Sequence, residues 1–333
     1  ETPILGRSTP EGARDYLVPS RIHPESFYAL PQSPQLYKQI LMVAGYDRYI
    51  QVARCFRDED LRADRVQEIT QLDVEQAFPD QEELFGLMER MVESVWRECR
   101  GIAIGTPFER LTYAEAQLRF GSDKPDLRFD LEIQDVTEAT RGSEFGVFSS
   151  AECVRYLSVP GTTSRGDLAK LEERAKELGA KGLAYLVFND PAGEPRSPIT
   201  KFLSETEINA VRPEKPATVL FAADKPGVVS RVLGRLRLQL GEMLGLVDAE
   251  AFRFVWVTDF PLLEWDEEAE RWNAMHHPFT RPTIETEGLL DGAPEKALAH
   301  AYDLVVNGIE IGGGSFRIHE PRLQERVFDA LKL

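Results

Sequence analysis

Cysteine is scarce: Cys55, Cys99 and Cys153 are the only three in 333 residues. They are widely spaced and three cannot all pair. A disulfide framework or a zinc site is therefore not supported, and packed or half-buried thiols in a reducing compartment are expected. Basic charge is short as well. Lys and Arg number 39 against 56 Asp and Glu, a formal net charge of −17. Such a chain repels nucleic acid on average, so any contact with it must be local. No apolar run approaches the ~18 residues of a membrane span. No basic stretch followed by an apolar one marks a signal peptide after Glu1-Thr2-Pro3. The phosphate-binding lysine loop and the dinucleotide glycine fingerprint are missing, which leaves the common nucleotide folds unsupported. Internal repeats and low-complexity tracts are missing too. The remainder, 42% hydrophobic and 29% charged, is that of an ordinary folded protein, long enough for about two domains at roughly 150 residues each. The expectation is a soluble cytoplasmic protein without a membrane partner.

An initiator Met is also lacking. The opening Glu1-Thr2-Pro3-Ile4-Leu5 reads as the middle of a strand and the closing Leu331-Lys332-Leu333 as the inside of a helix, so a fragment of a longer protein is expected. Between these ends, residues 32–45 predict a helix, with Ser33 as cap, Pro34 at the first position and Gly45 as stop. Leu36, Ile40 and Val43 give it one apolar face, while Gln35 and Lys38 share another. Residues 48–57 and 69–78 alternate and predict an antiparallel strand pair. In the second strand Gln71, Asp73 and Glu75 line one side. From the alternation alone, this row is either a solvated face or a polar binding floor. A helix over 80–100 follows, opened by Asp80 with Glu83 three residues on.

The stretch from about 120 to 250 reads differently. Helices over Ser164–Leu178 and Val228–Leu244 alternate with apolar strands at Leu183–Phe188 and Val219–Ala222, which predicts a compact α/β insert with its own core. Strand signals return from Phe252 to Glu264 and resume at Trp272. Tyr302–Val306 and Ile309–Ile318 flank Asn307-Gly308, a hairpin signal. The coarse picture is an antiparallel sheet interrupted by an insert.

Five segments gather the polar groups: Thr9–Asp15, Gln32–Gln35, Phe56–Glu59, His276–Pro278 and Glu310–Arg317. Each alone is weak. Together, the runs TPEGARDYLVPSR (Thr9–Arg21), ALPQSPQLY (Ala29–Tyr37) and CFRDEDLRADR (Cys55–Arg65), with GSDKPDLR (Gly121–Arg128) opening the insert, resemble the bacterial-type aspartyl-tRNA synthetases of class II over essentially the whole chain.

The resemblance implies an α+β fold: an antiparallel sheet of six to seven strands flanked by helices, with an α/β insertion domain of the bacterial type. Residues 1–120 would form the first part of the catalytic core, 121–250 the insertion and 251–333 the second part. It implies joining L-aspartate to ATP as an adenylate, then transfer to tRNA(Asp), or to tRNA(Asn) as well. Attack of a carboxylate on a phosphate brings two anions together, so a planar, always-charged arginine that bridges both is needed. Arg57 matches that catalytic position. Asp58, Glu59 and Glu310 match the ATP side, with Arg57. Glu11, Gln35, Lys38, Asp73, His276 and Arg317, again with Arg57, match aspartate contacts. Lys38 and Arg317 face the side-chain carboxylate and Glu11, Gln35 and Asp73 the ammonium. This favours the polar-floor reading of the second strand. Asp303 and Glu310 match the acid pair for Mg²⁺, an ion that wants oxygen ligands and phosphate. Thr9–Arg21 matches a loop that closes over the amino acid.

Two departures stand out. Val66 occupies a position where many relatives carry a glutamine that touches ATP. The chain also stops before the glycine-rich third motif, and it lacks the N-terminal anticodon-binding barrel and most of the first-motif dimerisation helix. The resemblance therefore implies a homodimeric ligase for the parent and little activity for this piece alone. A paralogue that activates asparagine, or a synthetase-derived protein that binds aspartate or an adenylate without catalysis, stays open as an alternative.

Overall fold

The computed structural model describes residues 1–9, 13–61 and 65–333. They divide into two compact units, Glu1–Pro107 with His276–Pro278, and Phe108–Met275 with Phe279–Leu333.

The first unit opens with a short antiparallel ribbon of β1 (Leu17–Pro19) and β2 (Phe27–Ala29). Helix α1 (Gln35–Val43) begins with Pro34 at its N-cap position and no side-chain capping bond, so Ser33 is not the cap that the sequence suggested. Gly45 ends it at φ +91°, a conformation glycine adopts at little cost. Strands β3 (Arg48–Phe56) and β4 (Glu68–Gln76) pair antiparallel in unbroken register from Arg48↔Gln76 to Phe56↔Glu68. Helix α2 (Gln81–Arg100) is capped by Asp80, whose side chain accepts from the Glu83 amide at 3.0 Å, and stops at left-handed Gly101.

Burial in this unit inverts ordinary amphipathic logic. On α1 the buried side chains are Gln35 and Lys38, while Leu36, Ile40 and Val43 are exposed, Val43 to 84%. On the ribbon, Ile50, Val52 and Leu72 are exposed, while Ala53, Cys55 and Asp73 are buried. The side of β4 that carries Asp73 is thus an inward polar surface and not a solvated face.

The second unit begins with β5 (Glu109–Thr112) and α3 (Tyr113–Phe120), which is held by a capping box between Thr112 and Glu115. A second layer follows: β6 (Gln134–Asp135), the single turns α4 (Thr137–Thr140) and α5 (Gly146–Ser149), β7 (Cys153–Pro160), α6 (Arg165–Glu177), β8 (Ala184–Phe188), α7 (Glu205–Ala210), β9 (Ala217–Asp224) and α8 (Pro226–Met243). Ser164 caps α6 through the Asp167 amide. Every strand pair in the β6-β7-β9-β8 sheet is antiparallel. Its faces bury two apolar clusters, one with Leu157, Leu220, Leu233 and Leu236, the other with Val154, Leu186, Phe188 and Phe221.

The chain then returns through β10 (Phe254–Pro261), a hairpin of β11 (Leu263–Asp266) and β12 (Arg271–Ala274), β13 (Leu298–Val306), β14 (Ile309–Ser315) and α9 (Pro321–Leu331). β10 pairs parallel with β5 and antiparallel with β13, giving the order β14-β13-β10-β5. Segments before and after the middle layer therefore share one sheet. The six to seven strands expected in one sheet are, among the described residues, a four-stranded sheet and separate two-stranded ribbons. A third cluster, including Leu111, Val257, Val305 and Val327, packs that sheet.

The β13–β14 turn is the predicted Asn307-Gly308, both at positive φ (53° and 81°), as a two-residue hairpin requires. Two glycines set how the layers meet. Gly121 ends α3 at φ +67°, and a Cβ there would lie 2.2 Å from the Ser230 carbonyl on α8. A Cβ at Gly234 of α8 would lie 2.7 Å from the Gly121 carbonyl and 2.9 Å from that of Phe120. Beside this contact, Arg237 of α8 is 1% exposed, donates to the carbonyls of Asp126, Phe129 and Leu131 at 2.9–3.0 Å, and lies 4.0 Å over the Phe129 ring. Burial pulls its pKa down to about 10, so it remains charged at neutral pH.

Candidate active site

In the first unit the polar face of α1 meets the polar face of β3–β4. Lys38, one turn into α1, reaches Asp73 Oδ1 at 2.6 Å and Glu75 Oε2 at 3.2 Å, with all three side chains largely buried. The β period of two puts Asp73 and Glu75 on one side. One ammonium between two carboxylates leaves the trio with a net charge of −1. Among the described residues, Asp73 Oδ2 is buried and has no hydrogen-bond donor. Across the register, Gln51 faces Asp73 and accepts from the Tyr49 hydroxyl at 2.7 Å. Burial, then the Asp73 carboxylate, raises the Tyr49 pKa, so the phenol stays protonated. Gln35, on the same helix face, is buried with its amide 3.5 Å from Gln39.

Arg57 follows the last residue of β3. Its amide donates to the Gln67 carbonyl at 2.8 Å and its Nε to the Gln32 carbonyl at 3.4 Å. Buried Gln32 in turn grips the Thr9–Arg21 run: its side-chain amide donates to the Ala13 carbonyl and Asp15, and accepts from the Ala13 backbone amide. The Asp58 amide donates to the Arg14 carbonyl at 3.0 Å. Glu59 pairs with Arg65 at 3.3 Å. The Thr9–Arg21 run and the arginine after β3 are thus joined through one buried amide. Glu11 lies outside the described residues. His276 is half-buried within the 276–278 segment of this unit.

In the second unit Arg317 stacks on Phe279, 5.0 Å from its ring centre, and its backbone bridges Thr280. Asp303 of β13 is 8% exposed and faces Gly313, where a Cβ would collide with its carboxylate at 2.3 Å. Val306 pairs with Ile309 across the two-residue turn and Val305 with Glu310, two residues along from Asp303, so both acids lie on one side of the hairpin; the register shift between Leu304 and Val305 falls after Glu310. Lys124 lies 2.9 Å from Glu310. Burial works against its charge, but the Glu310 hydrogen bond and the charges of Glu310, Asp123 and Asp303 outweigh that, and its pKa rises.

Comparison with known proteins decides what this arrangement belongs to. The family model described as tRNA synthetases class II (D, K and N) matches residues 1–333. The chain belongs to the family of class II tRNA synthetases (D, K and N). It is 54% identical to the aspartate–tRNA(Asp/Asn) ligases of Bacillus cereus strain AH187 and Bacillus mycoides strain KBAB4, over 99% of the chain and 58% of each relative. It is 53% identical to the ligase of the same name from Syntrophomonas wolfei, with the same coverage. The chain thus spans somewhat over half the length of these curated relatives.

Gln32, Tyr49, Glu75 and Lys124, which the structure places beside the candidate residues, were not singled out from the sequence as site residues. Glu75 had a legible signal, since it follows Asp73 at the β period. Lys124 had none beyond its motif, because its partner lies 186 residues on. Among the described residues no cluster of three or more His, Cys, Asp or Glu could hold a metal, and no helix is long and apolar enough to cross a membrane.

Proposed function

We propose that this chain carries the aspartate-activating core of an aspartate–tRNA ligase. The observation that carries the reading is the buried Lys38–Asp73–Glu75 trio on an inward polar floor, in a chain whose relatives are named for aspartate. A buried ammonium held by two acids is costly unless the site uses charge. A substrate carboxylate is the ligand for a lysine, and a substrate ammonium is the ligand for Asp73 Oδ2. The reading assigns the side-chain carboxylate to Lys38 and Arg317, the ammonium to Gln35, Asp73 and Glu11, and a further contact to His276. Asparagine, with a neutral amide, would leave that charge uncompensated.

In the first step the aspartate α-carboxylate attacks the α-phosphate of ATP and pyrophosphate leaves. Arg57 serves as the bridge, since a guanidinium binds two anions in two-pronged fashion and stabilises charge gathering on the phosphate. Its tie to Gln32 restricts its rotamers before substrate arrives. Asp58 and Glu59 belong to the ATP side. Asp303 and Glu310 suit Mg²⁺, because two hard oxygen donors on one side of a hairpin are what that ion takes when phosphates and water complete its shell. Bound there, it would neutralise phosphate charge.

The second step passes aspartate to the 3′ end of tRNA. The relatives are named for both tRNA(Asp) and tRNA(Asn), and we extend both substrates to the whole protein, acting as a homodimer in the cytoplasm. We also read 1–120 and 251–333 as one catalytic core and 121–250 as its insertion. The β5–β10 pairing ties residues 109–112 to the second part, and the separate apolar clusters of the middle layer support reading 121–250 as an insertion. The test is calorimetric titration of this chain with non-hydrolysable aspartyl- and asparaginyl-adenylate analogues. A preference for the aspartyl analogue of about 100-fold or more, lost in Lys38→Met, is expected. Equal binding of the two would overturn the aspartate assignment.

A further inference from the structure

We infer that Lys124 is a built-in counter-cation of the Asp303–Glu310 pair, a positioning residue that a divalent metal must displace from Glu310 to load. This rests on the assignment of that acid pair to the metal. Lys124 belongs to neither strand of the hairpin. It comes from the segment between α3 and the middle layer, and, itself partly buried, meets the exposed Glu310 at 2.9 Å. Asp303 beside them is almost fully buried. Two carboxylates on one side of a hairpin, one of them withdrawn from water, repel each other and favour a cation between them. Lys124 supplies one when no metal does.

The segment that presents Lys124 is anchored on both sides. Its amide donates to Ser122 at 3.0 Å. Before it, Gly121 is pressed against α8, so close that a Cβ would not fit. After it, Asp126 takes a two-pronged bond from Arg128, and Arg237 of α8 holds the Asp126 carbonyl. The Gly308 turn abuts Asp126 and the Lys124 carbonyl, at 3.5 and 3.8 Å from where a Cβ would sit. The backbone is thus fixed, while the four-carbon side chain can swing. A metal that takes Glu310 frees this ammonium to pair with a phosphate oxygen. The same anchoring links the acid pair to α8 of the middle layer.

The test uses this chain and Mn²⁺ alone, with free Mn²⁺ followed by electron paramagnetic resonance. Lys124→Met should bind Mn²⁺ about tenfold more tightly than the wild type, and Lys124→Arg should stay within about twofold of the wild type. Unchanged affinity in Lys124→Met would overturn the counter-cation role. Asp303→Asn in the Lys124→Met background separates this inference from the reading beneath it. Loss of Mn²⁺ there supports the acid pair as the seat. Unchanged binding in the double variant would refute the metal assignment itself, and the counter-cation role with it. Urea unfolding of each variant checks that the fold is retained.

Discussion

Lys38 shows how one side chain couples stability to recognition. Its ammonium is enclosed by Asp73 and Glu75 with little exposure, so removing it leaves two buried carboxylates facing each other. Lys38→Met should therefore destabilise the chain by about 3 kcal/mol, the scale of breaking a buried pair. Asp73→Asn should cost less, because Glu75 still holds the lysine. The two changes should fall well short of additive in urea unfolding, since they remove the same contact. Additive costs would mean that the two groups do not share an interaction. A second residue supplies a pH signature. His300 of β13 stacks on Phe316, with ring centres 3.8 Å apart and planes 10° off parallel. Burial, and then the Arg281 charge, lower its pKa below the ordinary 6.5. The unfolded chain therefore binds the extra proton first as pH falls. Stability from this group is complete above about pH 6.5 and is lost below it, down toward the depressed folded value. The urea midpoint should drop between pH 7.5 and 5.5, and His300→Gln should flatten that drop. The same slope in the variant would assign the effect to other groups.

Among the elements, the α3–α8 crossing depends on an absent side chain. Gly121 needs a positive φ, and its missing Cβ lets the α8 backbone approach. Gly121→Ala adds a left-handed backbone penalty of about 1–2 kcal/mol to a clash with backbone that cannot yield. A total loss of about 2–4 kcal/mol in urea unfolding is expected. Gly142→Ala, with nothing near its Cβ position, is the control and should be nearly neutral. The elements also divide by how much the sequence disclosed. Caps at Asp80 and Ser164 and the Asn307-Gly308 turn were legible, because each is a local bond or dihedral carried by two or three neighbouring residues. The Leu36-Ile40-Val43 stripe correctly marked a helix but not its inward face, since periodicity reports that a face is apolar and not what it meets. The parallel β5–β10 pairing joins residues more than 140 apart, and no local pattern encodes it. The same limit applies to the candidate site. Asp73 could be placed on a polar row from alternation, and Asp303 and Glu310 on one hairpin. The lysine that meets Glu310 had no sequence signal.

At the scale of the molecule, apolar burial is distributed unevenly. Among the described residues, the three apolar clusters draw on residues from Leu111 onward. Residues 1–107 bury single side chains such as Phe85 and Val92, but place Ile40, Val43, Ile50 and Val52 in solvent. Their ordered strands rest instead on the β3–β4 ladder and on polar contacts, and a polar contact contributes only about 1 kcal/mol net. Local opening there should cost less than opening of the middle layer, where β9 is buried along most of its length and α8 packs Val232, Leu233 and Leu236. Amide hydrogen exchange should therefore be at least about tenfold faster in α1, β3 and β4 than in β9 and α8. An aspartyl-adenylate analogue should slow exchange in the first group and leave α8 unchanged, because a ligand stabilises only what its binding requires to be closed. Protection of β3 and β4 equal to that of β9 without ligand would contradict this. It would mean that the Lys38–Asp73–Glu75 floor holds the ribbon as firmly as an apolar core, and that buried charge in this chain serves stability before it serves recognition.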